Sequence, residues 1–510
     1  MPSAKSGFDV IIVGSGLGGL TAAALLARYG RRALVCESHS LPGGAAHAFQ
    51  RQGFTFDSGP SFYCGLADST GCNPLKQVLD VIDEPIEAIA YDPLGHYHFP
   101  EQTFPVYGDS QRYQQALSQV SQQAAQEFAQ LEAKLLKLYA PLRAIPTLAL
   151  RADWQLGMAL LPRYPKALLS LLPRLADLGK SMSDFVDDTV SDPWLRRLID
   201  LECFLLSGLK AHDTVAPEMA FMFGERANSV IDYPIGGSGA IVEALVRGLK
   251  RWGGELRLGA HVEQIWVEQG RVKGVQLKDG EQLTAPVVIS NATLWDTYGQ
   301  LLSTDDLPAS YRQEALATPA VDSFMHLHLG IRAEGLEALT IHHVVVHSAE
   351  RDITAPGNTC MISIPTVLDP SQAPAGHHVV HAYTLEPWDG WQRDEHYAEK
   401  KRQRAEPLFQ ALEKVIPDLR DRIVVELIGT PLTHRRFLRR YQGTYGPAIA
   451  AGQGLFPSCQ TPIKGLYRVG DSTLPGIGVP AVVASGILCA NHLVSLKESM
   501  SLLEQWQEKR

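Results

Sequence analysis

The stretch FDVIIVGSGLGGLTAAALLARYG, residues 8–30, sets four glycines between an apolar run and a helix-forming run. Phe8 to Val13 is β-rich, and Ala22 to Tyr29 is rich in strong helix formers. Gly14, Gly16 and Gly19 stand at the junction in G-x-G-x-x-G spacing, with a strand before and a helix after. Gly14 allows the tight turn, Gly16 lets a pyrophosphate reach the backbone, and Gly19 lets the helix pack close to the strand. Free N–H groups and the positive end of the helix dipole then favour a phosphate. A second strand, Arg32 to Cys36, ends at Glu37, which lies 18 residues past Gly19 and suits a grip on ribose hydroxyls. An acid here, rather than an arginine, disfavours a 2′-phosphate. Leu17, Gly18 and Ser38 complete the dinucleotide-binding set expected at this end.

The far end repeats the device. In GLYRVGDSTLPGIGVPAVVASGILCANHL, residues 465–493, a strand at Leu466 to Val469 meets Gly470-Asp471, a Gly/Pro turn, and an apolar helix of small residues. This is a second strand–turn–helix anion site, with Asp471 free to accept from hydroxyls. After the second strand the chain continues as HSLPGGAAHAFQ, residues 39–50, and GFTFDSGPSF, residues 53–62, instead of entering a crossover helix.

These three segments resemble the phytoene desaturase and carotenoid isomerase branch of the FAD-dependent amine-oxidase-like superfamily. The likeness is clear over residues 8–110, 230–292 and 425–495. It implies an α/β chain with a Rossmann-like FAD-binding domain of the glutathione-reductase/amine-oxidase type, an inserted antiparallel-sheet substrate domain and a helical membrane-associated cap. It further implies that Gly43-Gly44 passes along the flavin and that Asp57-Ser58-Gly59-Pro60 lies beside the ring. The Val262 backbone would meet the adenine, and Gly470-Asp471 the pyrophosphate and ribityl chain. The helix that opens at Gly478 and Val479 would aim its N-terminus at the pyrimidine edge, where negative charge develops on reduction. Leu41-Pro42 replaces the basic residue that the family often carries before the glycine pair.

The 510 residues allow two to four domains. A discontinuous FAD-binding domain is expected over residues 1–110, 230–295 and 425–510, a helical cap over 111–229 and a substrate domain over 296–424. Asp109 to Tyr139 reads as one long amphipathic helix, with Leu117, Ala124, Phe128, Leu131 and Leu135 on its core face. Gly236, Gly237 and Gly239 open another helix, and strands are expected near residues 255–258, 261–267, 272–277 and 287–290. In the family the Gly-Gly-Ser-Gly segment lies near the substrate; a plain helix start is the other reading. Phe324–Leu329, His342–Val346, Met361–Ile364 and Val379–Thr384 read as strands of a mainly antiparallel sheet. Histidines crowd this region: His326, His328, His342, His343, His347, His377, His378 and His381. His326 and His328 share one strand face, and such a pair can ligate a metal. The reading adopted is a polar or partly buried strand face, and no metal is assigned.

Residues 151–180, RADWQLGMALLPRYPKALLSLLPRLADLGK, carry many leucines and a local basic excess in a chain of net charge −9. Such a segment would lie in a membrane interface, as a docking surface for a bilayer-dissolved polyene. Buried cap helices with snorkelling bases are the alternative. Phe204-Leu205-Leu206 and Met219 to Phe223 are expected to line an entrance. No run of 18 uninterrupted apolar residues appears, and MPSAKSGFDV has no apolar signal core, so a cytoplasmic, peripheral membrane-associated protein is expected. The seven cysteines are dispersed without a C-x-x-C pair and read as reduced thiols. The acidic balance excludes a general nucleic-acid binder.

No nucleophile–base triad or HExxH is present, so redox chemistry would fall to FAD. GTPLTHRRFLRRYQGTYGP, residues 429–447, resembles a family segment near flavin and substrate, which makes Arg435, Tyr441 and Tyr445 the catalytic candidates. The favoured activity is cis–trans isomerisation of a carotene by reduced flavin. Desaturation or saturation of a polyene, amine oxidation, and carriage of a lipid without catalysis are the alternatives.

Overall fold

The computed structural model describes residues 7–59, 61–68, 72–453 and 455–509. Its centre is a five-stranded parallel sheet in the order Glu255–Arg257, Ala33–Cys36, Val10–Val13, Val287–Ser290 and Leu466–Arg468. Val10–Val13 and Ala33–Cys36 are buried at every position, as strands covered on both faces must be. The first helix, Leu17–Arg28, begins inside the glycine turn rather than after it, so Gly18 and Gly19 form its first turn. It packs against the late helix Val479–His492 and against Gly237–Arg251.

That helix pairing explains two glycines. A Cβ at Gly18 would lie 2.9 Å from the Gly470 amide nitrogen, and one at Gly486 would lie 2.7 Å from the Gly18 carbonyl oxygen. The two ends of the chain therefore touch backbone to backbone, a spacing that no larger residue permits.

A second sheet has seven strands in the order Ile423–Gly429, Ser323–Arg332, His377–Glu386, Thr359–Ser363, His342–Val346, Gly95–His98 and Thr103–Val106. All its pairings are antiparallel except His342–Val346 with Gly95–His98. Its edges depart from the expected boundaries. Gly95–His98, Thr103–Val106 and Ile423–Gly429 hydrogen-bond within this sheet, although the sequence places them mostly with the dinucleotide-binding segments.

Residues 110–228 are helical in their regular elements; most share a core that includes Leu117, Phe128, Leu131, Leu195 and Phe223, while Leu148, Ala159 and Leu160 pack into the core of the parallel sheet. The single helix expected over Asp109–Tyr139 is two, Ser110–Val120 and Gln122–Arg143. Ser121 adopts an extended conformation between them, accepts from the Ala124 N–H at 3.1 Å, and donates to Asp192 at 2.9 Å. A serine that caps the second helix outcompetes helix continuation, while apolar spacing on either side stays in phase.

The expected entrance residues divide: Leu205, Leu206, Phe221 and Met222 are half-buried, and Leu206 lies near Gly478. Phe204, Met219 and Phe223 are buried in the helical core. Arg151 is buried as well, held by Asp153, Ser499 Oγ and the Val494 carbonyl, so it adds no charge to the surface.

Candidate functional site

The carboxyl ends of the parallel strands open on a cleft of about 520 Å³, the position where open α/β sheets bind ligands. Gly14 turns the chain at φ +91° and donates its N–H to the Cys36 carbonyl at 2.8 Å. Gly16 leaves space where a Cβ would meet the Asn291 amide nitrogen at 2.5 Å. Gly19 donates its N–H to Asn291 Oδ1 at 3.1 Å, and its bare Cα admits the Gly14 carbonyl. Leu17 is buried beneath the turn. Asn291 follows directly on the strand Val287–Ser290, lines the cleft, and was not singled out from sequence. Its signal is its place at the end of a central parallel strand.

Glu37 is buried and lines the cleft. Its Oε2 accepts from the Ser15 N–H at 2.8 Å and the Ser15 hydroxyl at 2.6 Å. Its Oε1 accepts from the His39 N–H at 2.7 Å and the Ser38 hydroxyl at 3.2 Å. Two of these four donors are hydroxyls, which can rotate to let a ribose hydroxyl donate in their place. Val262 lines the same wall beside His261, whose imidazole is held neutral by burial and by Arg439.

The glycine pair joins this turn. Gly43, at φ +116°, donates to the Ser15 carbonyl and hydroxyl, both at 3.1 Å. Gly44 lines the cleft against Gly16. The next loop packs on top. The Ser58 hydroxyl donates to the His47 carbonyl at 2.8 Å, and a Cβ at Gly59 would meet the Ala45 carbonyl at 2.2 Å. Ser58 and Gly59 thus brace the glycine-pair loop from outside the cleft wall; Pro60 lies outside the described residues. Asp57 is buried and accepts from the Ser238 N–H at 3.1 Å and hydroxyl at 2.7 Å, and from Tyr233 at 3.2 Å. Burial pushes its carboxyl up to about 6 against these hydrogen bonds. The Gly236–Gly239 segment is therefore the clamp on the loop after the glycine pair.

The second glycine unit is placed apart. Gly470 donates to the Ser485 hydroxyl at 2.9 Å and abuts Gly18. Asp471 is already engaged: the Arg440 guanidinium pairs with its Oδ2 and the Ser472 hydroxyl donates to Oδ1 at 2.9 Å, one donor on each oxygen. Gly478, at φ +100°, caps the helix that starts at Val479. None of these four lines the 520 Å³ cleft. Arg440 does line it, as do Arg435 and Arg439, and sequence reasoning singled out only Arg435 of the three.

Of the catalytic candidates, Arg435 and Tyr441 line the cleft. Arg435 lies over the Trp388 ring at 5.2 Å. Tyr441 stacks on Trp295 at 5.0 Å, and its N–H donates to Asp296. Tyr445 does not line the cleft; it packs edge-on against Phe324 at 5.2 Å, where burial pushes its phenol up to about 12.

The donors fit a dinucleotide without a 2′-phosphate: a helix start and two bare glycines for phosphate, an acid flanked by hydroxyls for ribose. The model for flavin containing amine oxidoreductases matches residues 17–494. A prolycopene isomerase of an Oncidium hybrid cultivar is 36% identical over 96% of this chain and 84% of its own length. The neurosporene-forming phytoene desaturase of Rhodobacter capsulatus is 26% identical over 95% of this chain and 93% of its own. A solved putrescine oxidase aligns over 95% of this chain and 98% of its own, with a TM-score of 0.63 at 15% identity. At that identity the likeness establishes the fold alone.

Proposed function

The chain belongs to the flavin containing amine oxidoreductase family, and on that footing we propose that it isomerises a cis double bond of a carotene at a membrane surface. It is an FAD-dependent enzyme of the carotenoid isomerase and desaturase type. The observation that carries the isomerase reading is the identity with prolycopene isomerases, 36% over nearly the whole chain against 26% with the desaturase. Bound FAD supplies reversible electron or hydride transfer to a polyene, which lowers double-bond order and permits rotation. In this reading Glu37 holds the ribose, the turn at Gly14–Gly19 and Gly43-Gly44 hold the pyrophosphate, and Val262 meets the adenine. Gly470, Asp471, Gly478 and Val479 take the ribityl chain and ring, while Ser58 and Gly59 brace the Gly43-Gly44 loop. Arg435 and Tyr441 orient the substrate at the cleft, and Tyr445, packed on Phe324, stays a candidate outside its lining. Desaturation is the second reading, favoured by the full-length match to a phytoene desaturase.

The membrane part rests on a surface patch. Trp154, Met158, Leu161, Leu169, Leu172 and Leu175 are each more than half exposed, Trp154 at 79%. They lie on the short helices Leu156–Leu160, Pro165–Leu171 and Leu172–Gly179 and the turn before them. Large apolar side chains gathered on one exposed segment with Lys166 and Arg174 suit an interface of headgroups and acyl chains. A second cavity, of about 420 Å³, opens beside Trp154 and Leu156 and reaches Leu474 of the second glycine turn. No helix among the described residues is long and apolar enough to cross a membrane.

The test is product analysis. FAD-loaded protein is incubated on liposomes with a poly-cis carotene, with the flavin oxidised and then anaerobically reduced. Unchanged mass with a new trans isomer under reduction is the expected result. A gain or loss of two hydrogens would replace isomerisation with saturation or desaturation. Turnover that survives Leu169→Ser/Leu172→Ser while liposome binding is unchanged would remove the docking role of the patch.

A further inference from the structure

The second glycine turn faces open space. Ile477 to Val482 are half-exposed in succession, whereas Val483 to Asn491, further along the helix Val479–His492, are buried. Half-buried apolar side chains close in around the turn. Phe456 would lie 2.9 Å from a Cβ at Gly476, and Leu206, on the helix Pro193–Ser207, 4.0 Å from one at Gly478. One carboxyl stands among them: Glu218 Oε1 would lie 3.2 Å from a Cβ at Gly476.

Glu218 is not there to cap its own helix. It is the third residue of Ala216–Asn228, where a glutamate ordinarily folds back on the amide before the helix and a serine or threonine there returns the bond. Val215 stands in that place, offers no side-chain oxygen, and no such exchange forms. The carboxyl reaches the turn instead and has no hydrogen-bond or ion-pair partner among the described residues. By contrast, the buried Glu84, Glu202 and Glu386 each meet an arginine. Arg440, which meets the same turn, is already paired with Asp471. On the neighbouring helix the Cys203 thiol feels the Glu218 charge. An unpaired acid in apolar surroundings holds its proton, and burial pushes Glu218 up to about 8. Its place in the first turn of a helix eases the negative charge that appears once the proton leaves. A group that both holds and releases a proton near neutral pH, beside an open space, is suited to acid–base work.

Resting on the polyene-isomerase reading above, we infer that Glu218 is the proton donor and acceptor for a substrate carbon. Its O–H bond breaks as a C–H bond forms, with the π electron pair, at one end of the cis double bond. The neighbouring carbon is left electron-poor, the form in which a polyene takes up the hydride of that reading. The bond between the two carbons is then single and rotates. After rotation both transfers run in reverse. The polyene ends with the hydrogens and electrons it began with, and the carboxylate regains its proton.

The experiment runs the FAD-loaded protein in heavy water, on liposomes with a poly-cis carotene and anaerobically reduced flavin. It reads the geometry and the deuterium content of the product. The expected result is a trans product that carries deuterium, with a rate that falls as pH rises through about 8. Glu218→Gln should slow turnover by about a hundredfold or more and remove that pH limb, and Glu218→Asp should restore part of the rate. Infrared difference spectra of the resting protein across about pH 8 should show a neutral carboxyl band that Glu218→Gln lacks, a readout that needs no turnover. Flavin occupancy reports folding; if Glu218→Gln does not fold, the wild-type deuterium content and Glu218→Asp decide. A trans product without deuterium, no such infrared band, or undiminished turnover in flavin-loaded Glu218→Gln overturns the proton role and leaves the isomerase reading standing. No trans product from wild type overturns that reading, and the proton role with it.

Discussion

The two strand–turn–helix units place equivalent parts in different states. In the first, Gly14–Gly16 links Val10–Val13 to Leu17–Arg28, and the nearby acid, Glu37, is met only by neutral donors. In the second, residues 469–478 link Leu466–Arg468 to Val479–His492, and the acid, Asp471, is met by a guanidinium. Hydroxyl and amide donors give way to a ribose at little electrostatic cost. A partly buried ion pair does not, because separating it leaves a charge without its partner. On the proposed reading the first unit meets its half of the dinucleotide with Glu37 facing neutral donors, and the second meets its half with Asp471 already paired to Arg440.

The comparison breaks most severely at the contact both units share. Gly18→Val would drive a side chain into the Gly470 backbone, and should cost about 3 kcal/mol or more of stability and eliminate FAD. Denaturant unfolding and flavin content measure this, and wild-type values would separate the two units. Next comes Glu37. Glu37→Arg should abolish FAD binding, while Glu37→Gln should weaken it by about tenfold to a hundredfold through lost charge-assisted hydrogen bonds, measured by flavin titration. Unchanged affinity in both would take the ribose away from this acid. The second unit should respond less. Asp471→Asn should weaken FAD by about tenfold, and Arg440→Met should leave affinity within about threefold. The reverse order would make Arg440 the ligand and Asp471 its support.

The remaining effect is a pH slope. Glu218 abuts Gly476 of the second turn, and burial pushes its carboxyl up to about 8 from an ordinary value near 4.5. The folded state therefore holds a proton that the unfolded chain releases over that interval. Stability contributed by the neutral acid is complete below about pH 4.5 and falls as pH rises toward about 8. Urea midpoints at several pH values should show this decline, and Glu218→Gln should flatten it. An equal slope in the variant would assign it to another group.

Local signals carried the first unit. Glycine spacing, the apolar strand and Glu37 lie within thirty residues, and Val287–Ser290 and His342–Val346 fall at their expected bounds. What escaped depends on partners distant in the chain. Asn291 matters because the Gly16 turn folds against it. Arg440 is distinguished from its basic neighbours only by Asp471. The pair His326 and His328 is visible as alternation, but His381 joins it through strand register. Ser121 divides a helix whose apolar period runs on across it, because a cap is a local competition that periodicity does not record.

The backbone contact between Gly18 and Gly470 also sets a schedule for biosynthesis. Leu17–Arg28 is apolar and buried almost throughout, yet one side of it is covered by Val479–His492. At ribosomal rates of about 5–20 residues per second, those roughly 450 intervening residues take about half a minute to a minute and a half to emerge. Gly237–Arg251 covers another part of the helix midway through synthesis, but the side that meets Val479–His492 stays open until the end of the chain is made, so the N-terminal unit closes last.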